Sequence, residues 1–172
     1  MSIEHCNNLM DFRRLAKRRV PRTIFHYLDG GADDEQSYAR NTDAFADYEL
    51  LPAQLSGVGS IDLSTTVLGK KVDWPVILAP TSAAKIYHLD GEVAVAEAAG
   101  KSGIFYSMST ISTSTIEEIG KTGDGPKIYQ IYIFRDRGLT QSFVDRCKAA
   151  DYDAIALTVD TPVAGNRERD LV

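Results

Sequence analysis

The chain has 172 residues, 44% of them hydrophobic and 25% charged, the make-up of an ordinary globular protein long enough to bury a core. A formal net charge of -5 argues against the basic face that nucleic-acid binding requires, and no apolar run approaches the roughly 20 residues of a membrane span. The first residues are too polar for a secretory signal peptide, and Cys6 and Cys147, far apart and matching no metal or redox spacing, read as free thiols in a reducing, cytoplasmic compartment.

Taken along the chain, residues 5–19 are helical in pattern, with Leu9, Phe12, Leu15 and Ala16 on one face. Pro21 opens a second short helix over Arg22 to Leu28, which Asp29-Gly30-Gly31 ends by chain reversal. A third helix is expected from Asp33 to Phe45, and Tyr48 to Ile61 reads as irregular. Thr66 to Val72 suggests a small hairpin over a Gly69-Lys70 turn. Four apolar runs follow, Val76–Ala79, Ile104–Tyr106, Ile128–Ile131 and Ala154–Leu157, starting 24 to 28 residues apart with helical patterns between them. The first of these helices follows Asp90-Gly91, the second opens at Ser114 with a capping box to Glu117, and the third runs from about Leu139 to Ala149. Strand and helix alternating at this period predict right-handed βαβ units and an α/β fold with a parallel sheet. Continuously apolar strands are what such buried sheets need.

Each run ends in polar or special residues at the same phase. These are Pro80-Thr81-Ser82, then Ser107-Met108-Ser109-Thr110, then Gln130 and Tyr132, then Thr158 and Asp160. In a β/α barrel these positions ring the C-terminal mouth, and a doubly wound sheet also binds ligands there. Read singly, a Ser or Thr at such a place serves equally well as a helix cap. No Gly-rich phosphate loop follows a strand, which disfavours a nicotinamide-binding domain and a nucleoside triphosphatase. His5, His26 and His88 read as surface, packing or loop residues, and no metal site is expected.

Five segments carry a resemblance. They are Tyr27-Leu28-Asp29-Gly30-Gly31-Ala32, Leu78-Ala79-Pro80-Thr81-Ser82, Tyr129-Gln130-Ile131-Tyr132, Ala156 to Pro162 with Thr158 and Asp160, and Gly165 to Asp170 with Arg167. In order and spacing they resemble the FMN-dependent 2-hydroxy acid dehydrogenases and oxidases, the family of glycolate oxidase, lactate oxidase, L-lactate dehydrogenase, mandelate dehydrogenase and flavocytochrome b2. The resemblance implies the N-terminal half of a (β/α)8 TIM barrel. Residues 1–65 would hold the N-terminal helices and irregular segment, and 66–172 the hairpin and first four barrel strands. It further implies FMN as cofactor and an L-2-hydroxy acid, lactate-like, as substrate. The wall against the flavin ring would be Ala79, Pro80, Thr81 and Ser82, and the contacts to its pyrimidine edge Ser109, Gln130 and Thr158. Tyr27 and Arg167 would bind the substrate carboxylate and Tyr132 its hydroxyl oxygen, while Asp160 would hold the catalytic histidine. Read without the resemblance, Tyr27 is a packing residue at a helix end and Arg167 a solvated surface arginine.

Two positions depart from the common pattern. Ser82 stands where many members have alanine or glycine, which bears on oxygen access and so on oxidase against dehydrogenase; the latter is slightly favoured. Ile111 stands where some members have a large aromatic near the substrate. Four strands cannot close an eight-stranded barrel, so the catalytic histidine, a flavin lysine, a second arginine and the phosphate-binding glycines are expected beyond residue 172, on a separate or missing C-terminal half. A homotetramer is expected, in the cytoplasm or peripheral on the inner face of a membrane through the loop after residue 172. The competing readings are a non-catalytic flavin- or partner-binding half-barrel and a phosphosugar aldolase or isomerase barrel.

Overall fold

The computed structural model describes residues 2–171, so Met1 and Val172, the two ends of the expected 1–172 domain, lie outside it. The chain divides into two compact units, Met1–Gly57 with Val163–Val172, and Val58–Pro162.

The first unit is helical. Helix α1 (Leu9–Arg19) is capped by Asn8, whose side chain accepts from the Asp11 N–H at 3.0 Å. Helix α2 (Arg22–Asp29) follows Pro21, and Phe25 and Leu15 are the buried apolar residues of the two helices. The end of α2 departs from the expected reversal. Gly30 is extended (φ -89°), and the left-handed residues come later, at Asp33 and Glu35. Those two residues also delay the third helix, so α3 covers only Gln36–Asp43 before a 3-10 turn at Ala44–Asp47. A second 3-10 turn, Glu168–Leu171, belongs to the same unit.

The second unit opens with the hairpin β1 (Thr65–Val67) and β2 (Lys70–Val72). Its turn residues are Leu68 and Gly69, not Gly69 and Lys70. Both have positive φ (49° and 76°), as a two-residue turn matched to strand twist demands, and Val67 therefore pairs with Lys70. Four parallel strands follow in sequential order, β3 (Ile77–Leu78), β4 (Phe105–Met108), β5 (Lys127–Ile131) and β6 (Ala154–Leu157). Prolines 75 and 80 bracket β3 and keep it to two residues. Strand β4 begins one residue later than expected because the Ile104 N–H closes the preceding helix end onto the Ala99 carbonyl at 3.1 Å.

Helices α4 (Gly91–Lys101), α5 (Ile116–Gly120) and α6 (Arg137–Ala149) connect the strands. The capping box of α5 is one residue further on than expected, formed by Thr115 and Glu118. Two overlapping Ser/Thr-x-x-Glu frames exist here, and the later one makes Ile116 the first helical residue. Ile116 and Ile119 then both face the core, at 2% and 0% exposure. Glu117 is released to pair with Arg146 of α6 through two bonds of 2.7 and 2.8 Å.

Alternation along the strands sorts the interior into two layers. Tyr106, Met108, Tyr129 and Ile131 pack with the helices around Ile116, Ile119 and Cys147. Phe105 and Ile128 pack with Val72 of the hairpin. On that same second face, further along toward the strands' C-terminal ends, the side chains become polar: Ser107, Ser109 and Gln130, all buried.

Candidate active site

The parallel register places Ser107 opposite Ile128 and Gln130 opposite Ala156, so Ser109, Gln130 and Thr158 fall on one face at the C-terminal ends of β4, β5 and β6. They form a continuous row. Gln130 Oε1 accepts from the Thr110 N–H at 2.9 Å and from the Ser109 hydroxyl at 3.4 Å, and Gln130 Nε2 donates to Thr158 Oγ1 at 2.7 Å. A backbone N–H can only donate, so Thr110 fixes which way the Gln130 amide faces. Thr110 also ties its own hydroxyl to the Gln130 carbonyl at 2.6 Å, and Ser109 Oγ accepts from the Ile111 N–H at 3.1 Å. The protons of the row therefore point from β4 toward β6. That leaves the Thr158 hydroxyl proton and the second Gln130 N–H for an external acceptor. The three strands together span about 10 Å. A neutral row of this length matches the edge of a flat heterocycle bearing carbonyls, as the pyrimidine edge of a flavin does. By that measure the residues fit FMN.

The segment after β3 lies beside this row. Ala79, Pro80 and Thr81 are exposed, and Ser82 is half-buried. Beyond them Ala83, in the left-handed region at φ 54°, donates its N–H to the Ile111 carbonyl at 2.9 Å. The Lys85 N–H reaches Thr113 Oγ1 at 3.2 Å. Behind both stands Glu92, 1% exposed in the first turn of α4. Its Oε1 accepts from the N–H groups of Ala84 (3.0 Å) and Thr113 (2.8 Å), and its Oε2 from the Thr113 hydroxyl (2.5 Å). Burial opposes ionisation of Glu92, but the bonds from Thr113 and Ala84 outweigh it and hold the carboxyl down at about 2.

Tyr132 is half-buried just after β5 and Asp160 is exposed after β6; among the described residues no bond joins either to the row. In the helical unit the structure does bring Tyr27 and Arg167 together. The Arg167 guanidinium lies 5.3 Å over the Tyr27 ring and donates to the Tyr27 carbonyl, while its Nε donates to Asp170 at 2.7 Å. Five N–H groups leave it donors to spare for a carboxylate. The segment that carries it is braced. Arg169 pairs with Glu35 through Nε and Nη2 and with Asp29 through Nη1 at 3.2 Å, Asp29 is also held by Arg13, and the Asp33 N–H reaches the Asn166 carbonyl at 2.9 Å. The Arg13 bond holds the Asp29 carboxyl below the usual carboxylate range against its burial, with Arg169 adding to it.

Among the described residues no group of three or more His, Cys, Asp or Glu is arranged for a metal, and no helix is long and apolar enough to cross a membrane. Sequence reasoning placed Thr110 at a strand end without giving it a role, and it gave no role to Glu92 or Arg169. For Glu92 a signal existed, since Glu92, Ala96 and Ala99 follow the i, i+4, i+7 spacing of one face and all three are buried. A carboxylate on an apolar stripe marks a satisfied buried charge.

The family model described as FMN-dependent dehydrogenase matches residues 16–172. The chain belongs to this family. Glycolate oxidase 1 of rice (Oryza sativa) is 40% identical over 95% of the chain, which covers 44% of that protein. A soluble mutant of the membrane-associated (S)-mandelate dehydrogenase from Pseudomonas putida superposes with a TM-score of 0.91 at 36% identity, over 95% of this chain and 47% of that one. A protein of Pediococcus acidilactici described as a lactate oxidase gives 0.92 at 34% identity, over 96% and 46%. The chain thus spans about half the length of the FMN-dependent relatives it matches. Its four sequential parallel strands, with the three helices between them, correspond to the N-terminal half of a barrel such as theirs.

Proposed function

We propose that the protein to which this chain contributes oxidises an L-2-hydroxy acid to the 2-oxo acid with FMN. The observation that carries the reading is the neutral Ser109–Gln130–Thr158 row across β4, β5 and β6 in a chain of this family. FMN supplies the two-electron acceptor, and the protein orients it. Ser109, Gln130 and Thr158 hold the pyrimidine edge without adding charge. The backbone of Ala79, Pro80, Thr81 and Ser82 forms the wall against the ring. Arg167 and Tyr27 grip the substrate carboxylate, for which a guanidinium is suited by its parallel donors. Tyr132 bonds the hydroxyl oxygen of the substrate and steadies the charge that develops there. Asp160 orients the histidine that takes the substrate proton, a residue of the complementary C-terminal half.

The substrate is a small acid of the lactate type. Ile111, 57% exposed, stands where some members have a large aromatic, and this smaller residue leaves room for larger 2-hydroxy acids as well. A dehydrogenase is slightly favoured over an oxidase, with Ser82 set beside the ring where oxygen would approach. The assembly is a homotetramer of complete barrels, in the cytoplasm or peripheral on the inner face of a membrane, as the membrane-associated mandelate dehydrogenase relative suggests.

Colour provides the test. The complete protein should be yellow, and L-lactate should bleach its flavin band in the absence of oxygen. Colourless protein with intact chains, or a flavin that no 2-hydroxy acid bleaches, overturns the proposal. Slow return of colour in air but fast return with a dye acceptor marks the dehydrogenase, and the reverse marks the oxidase.

A further inference from the structure

We propose that Glu92 is a positioning residue, the latch that sets where the 79–86 segment lies and hence the wall facing the flavin ring. The inference rests on the proposed function for what that wall faces, and on geometry alone for the latch.

Four features converge on the segment. Glu92 takes one backbone N–H from it, at Ala84, and a backbone N–H and a hydroxyl from the loop after β4, at Thr113, so a single carboxylate joins two loops. Thr113 Oγ1 donates a hydrogen bond to Glu92 and accepts one from the Lys85 N–H, which adds a second tie. Gly91, at φ +47°, brings α4 so near that an added Cβ would stand 2.4 Å from Lys85 Cγ and 3.1 Å from Lys85 N. Ala83 meanwhile holds a left-handed backbone that a non-glycine residue adopts only where its surroundings enforce it.

A buried carboxylate is a costly choice for a merely structural tie. What recommends it is acceptor capacity, since one oxygen serves two backbone donors while the other takes the hydroxyl. An amide keeps most of this. Its oxygen can accept both N–H groups, and its NH2 can donate to Thr113 Oγ1.

The test uses the complete FMN-loaded protein and sulfite, a nucleophile that adds to the flavin ring and bleaches it, and so reads the ring's immediate surroundings apart from turnover. Glu92→Ala should weaken sulfite binding by about tenfold or more while FMN affinity changes by less than about threefold, because the row on β4, β5 and β6 is untouched. Thr113→Val, which keeps the carboxylate and its two backbone bonds, should weaken sulfite binding by about threefold, and Glu92→Gln should recover most of the loss. A Glu92→Ala protein with wild-type sulfite affinity overturns the inference, as does a Glu92→Gln protein no better than Glu92→Ala, which would make charge and not bonding the cause. If Glu92→Ala fails to fold, Thr113→Val decides alone, and wild-type sulfite affinity in it overturns the latch. Wild-type protein that holds no FMN overturns the proposed function instead, and the inference falls with it.

Discussion

Tyr132 sits half-buried one residue past β5, a strand whose every residue is buried, so its position is set by packing and its hydroxyl by chemistry. Replacing it with phenylalanine keeps the ring and removes the group proposed to support the substrate oxygen. Tyr132→Phe is therefore expected to slow flavin reduction by roughly 10²-fold while raising the substrate dissociation constant only a few-fold, as stopped-flow reduction at varied substrate would show. Glu92 supports a prediction of another kind. Its native carboxyl is held at about 2, below its ordinary value of 4.5, so the ionised form stabilises the fold. That contribution is complete above about pH 4.5, fades as pH falls toward about 2, and is on the order of 3 kcal/mol. Thermal melts of wild type and Glu92→Gln should accordingly converge as pH drops through this window; parallel curves would refute the linkage. Single residues were legible only where chemistry and phase coincided. Gln130 and Thr158 stood out as polar groups ending apolar strands, whereas Glu92 was marked only by its phase with Ala96 and Ala99, and what it holds becomes visible only in contacts with Ala84 and Thr113.

Elements were easier to read than their edges. The strands beginning at residues 127 and 154 and the helix ending at Ala149 match the apolar runs closely; for the first of these strands, burial on both faces leaves little latitude. Ends are settled by local bonds the pattern does not encode. Thr115 won over Ser114 as the cap because that frame buries Ile116 and Ile119, and Leu68-Gly69 won over Gly69-Lys70 because both turn residues need positive φ. Thr115→Ala should lower the stability of the complete protein by about 1 kcal/mol, while Ser114→Ala, which removes a buried hydroxyl that has no hydrogen-bond partner among the described residues, should cost less than half of that. Chemical denaturation of the two variants checks the order; a larger loss at Ser114 would return the cap to the first frame.

Across the whole chain, the strand order β3-β4-β5-β6 leaves the outer edges of β3 and β6 unpaired among the described residues. Ile155, Leu157 and Val159 are 40%, 52% and 81% exposed along and after β6. Free parallel edges beside apolar side chains are templates for self-association. Expressed alone, the 172 residues should therefore form soluble aggregates, and co-expression with the proposed complementary half should give a species of defined mass, both read by size exclusion with light scattering. A monodisperse chain on its own would count against the need for that half. The fold class was legible at this scale because it rests on repetition, and four strands joined by three helices at similar spacing admit few topologies. The division at Gly57 and Pro162 was not, since the return of residues 163–171 to the helical unit depends on Arg169, Asn166 and Arg167 meeting partners more than a hundred residues earlier.

The Ser109–Gln130–Thr158 row holds an amide and two hydroxyls and nothing that titrates in the physiological range. The substrate capture proposed for Arg167, and the proton removal proposed for a histidine oriented by Asp160, would by contrast be chemistry of charge. The two halves of the reaction should thus part company with acidity. Turnover should follow a pH curve, while cofactor retention along this edge stays flat from about pH 5 to 9. Below that, the grip should fail abruptly with the fold and not by degrees, a behaviour that would make the yellow colour a report on whether the barrel is still standing.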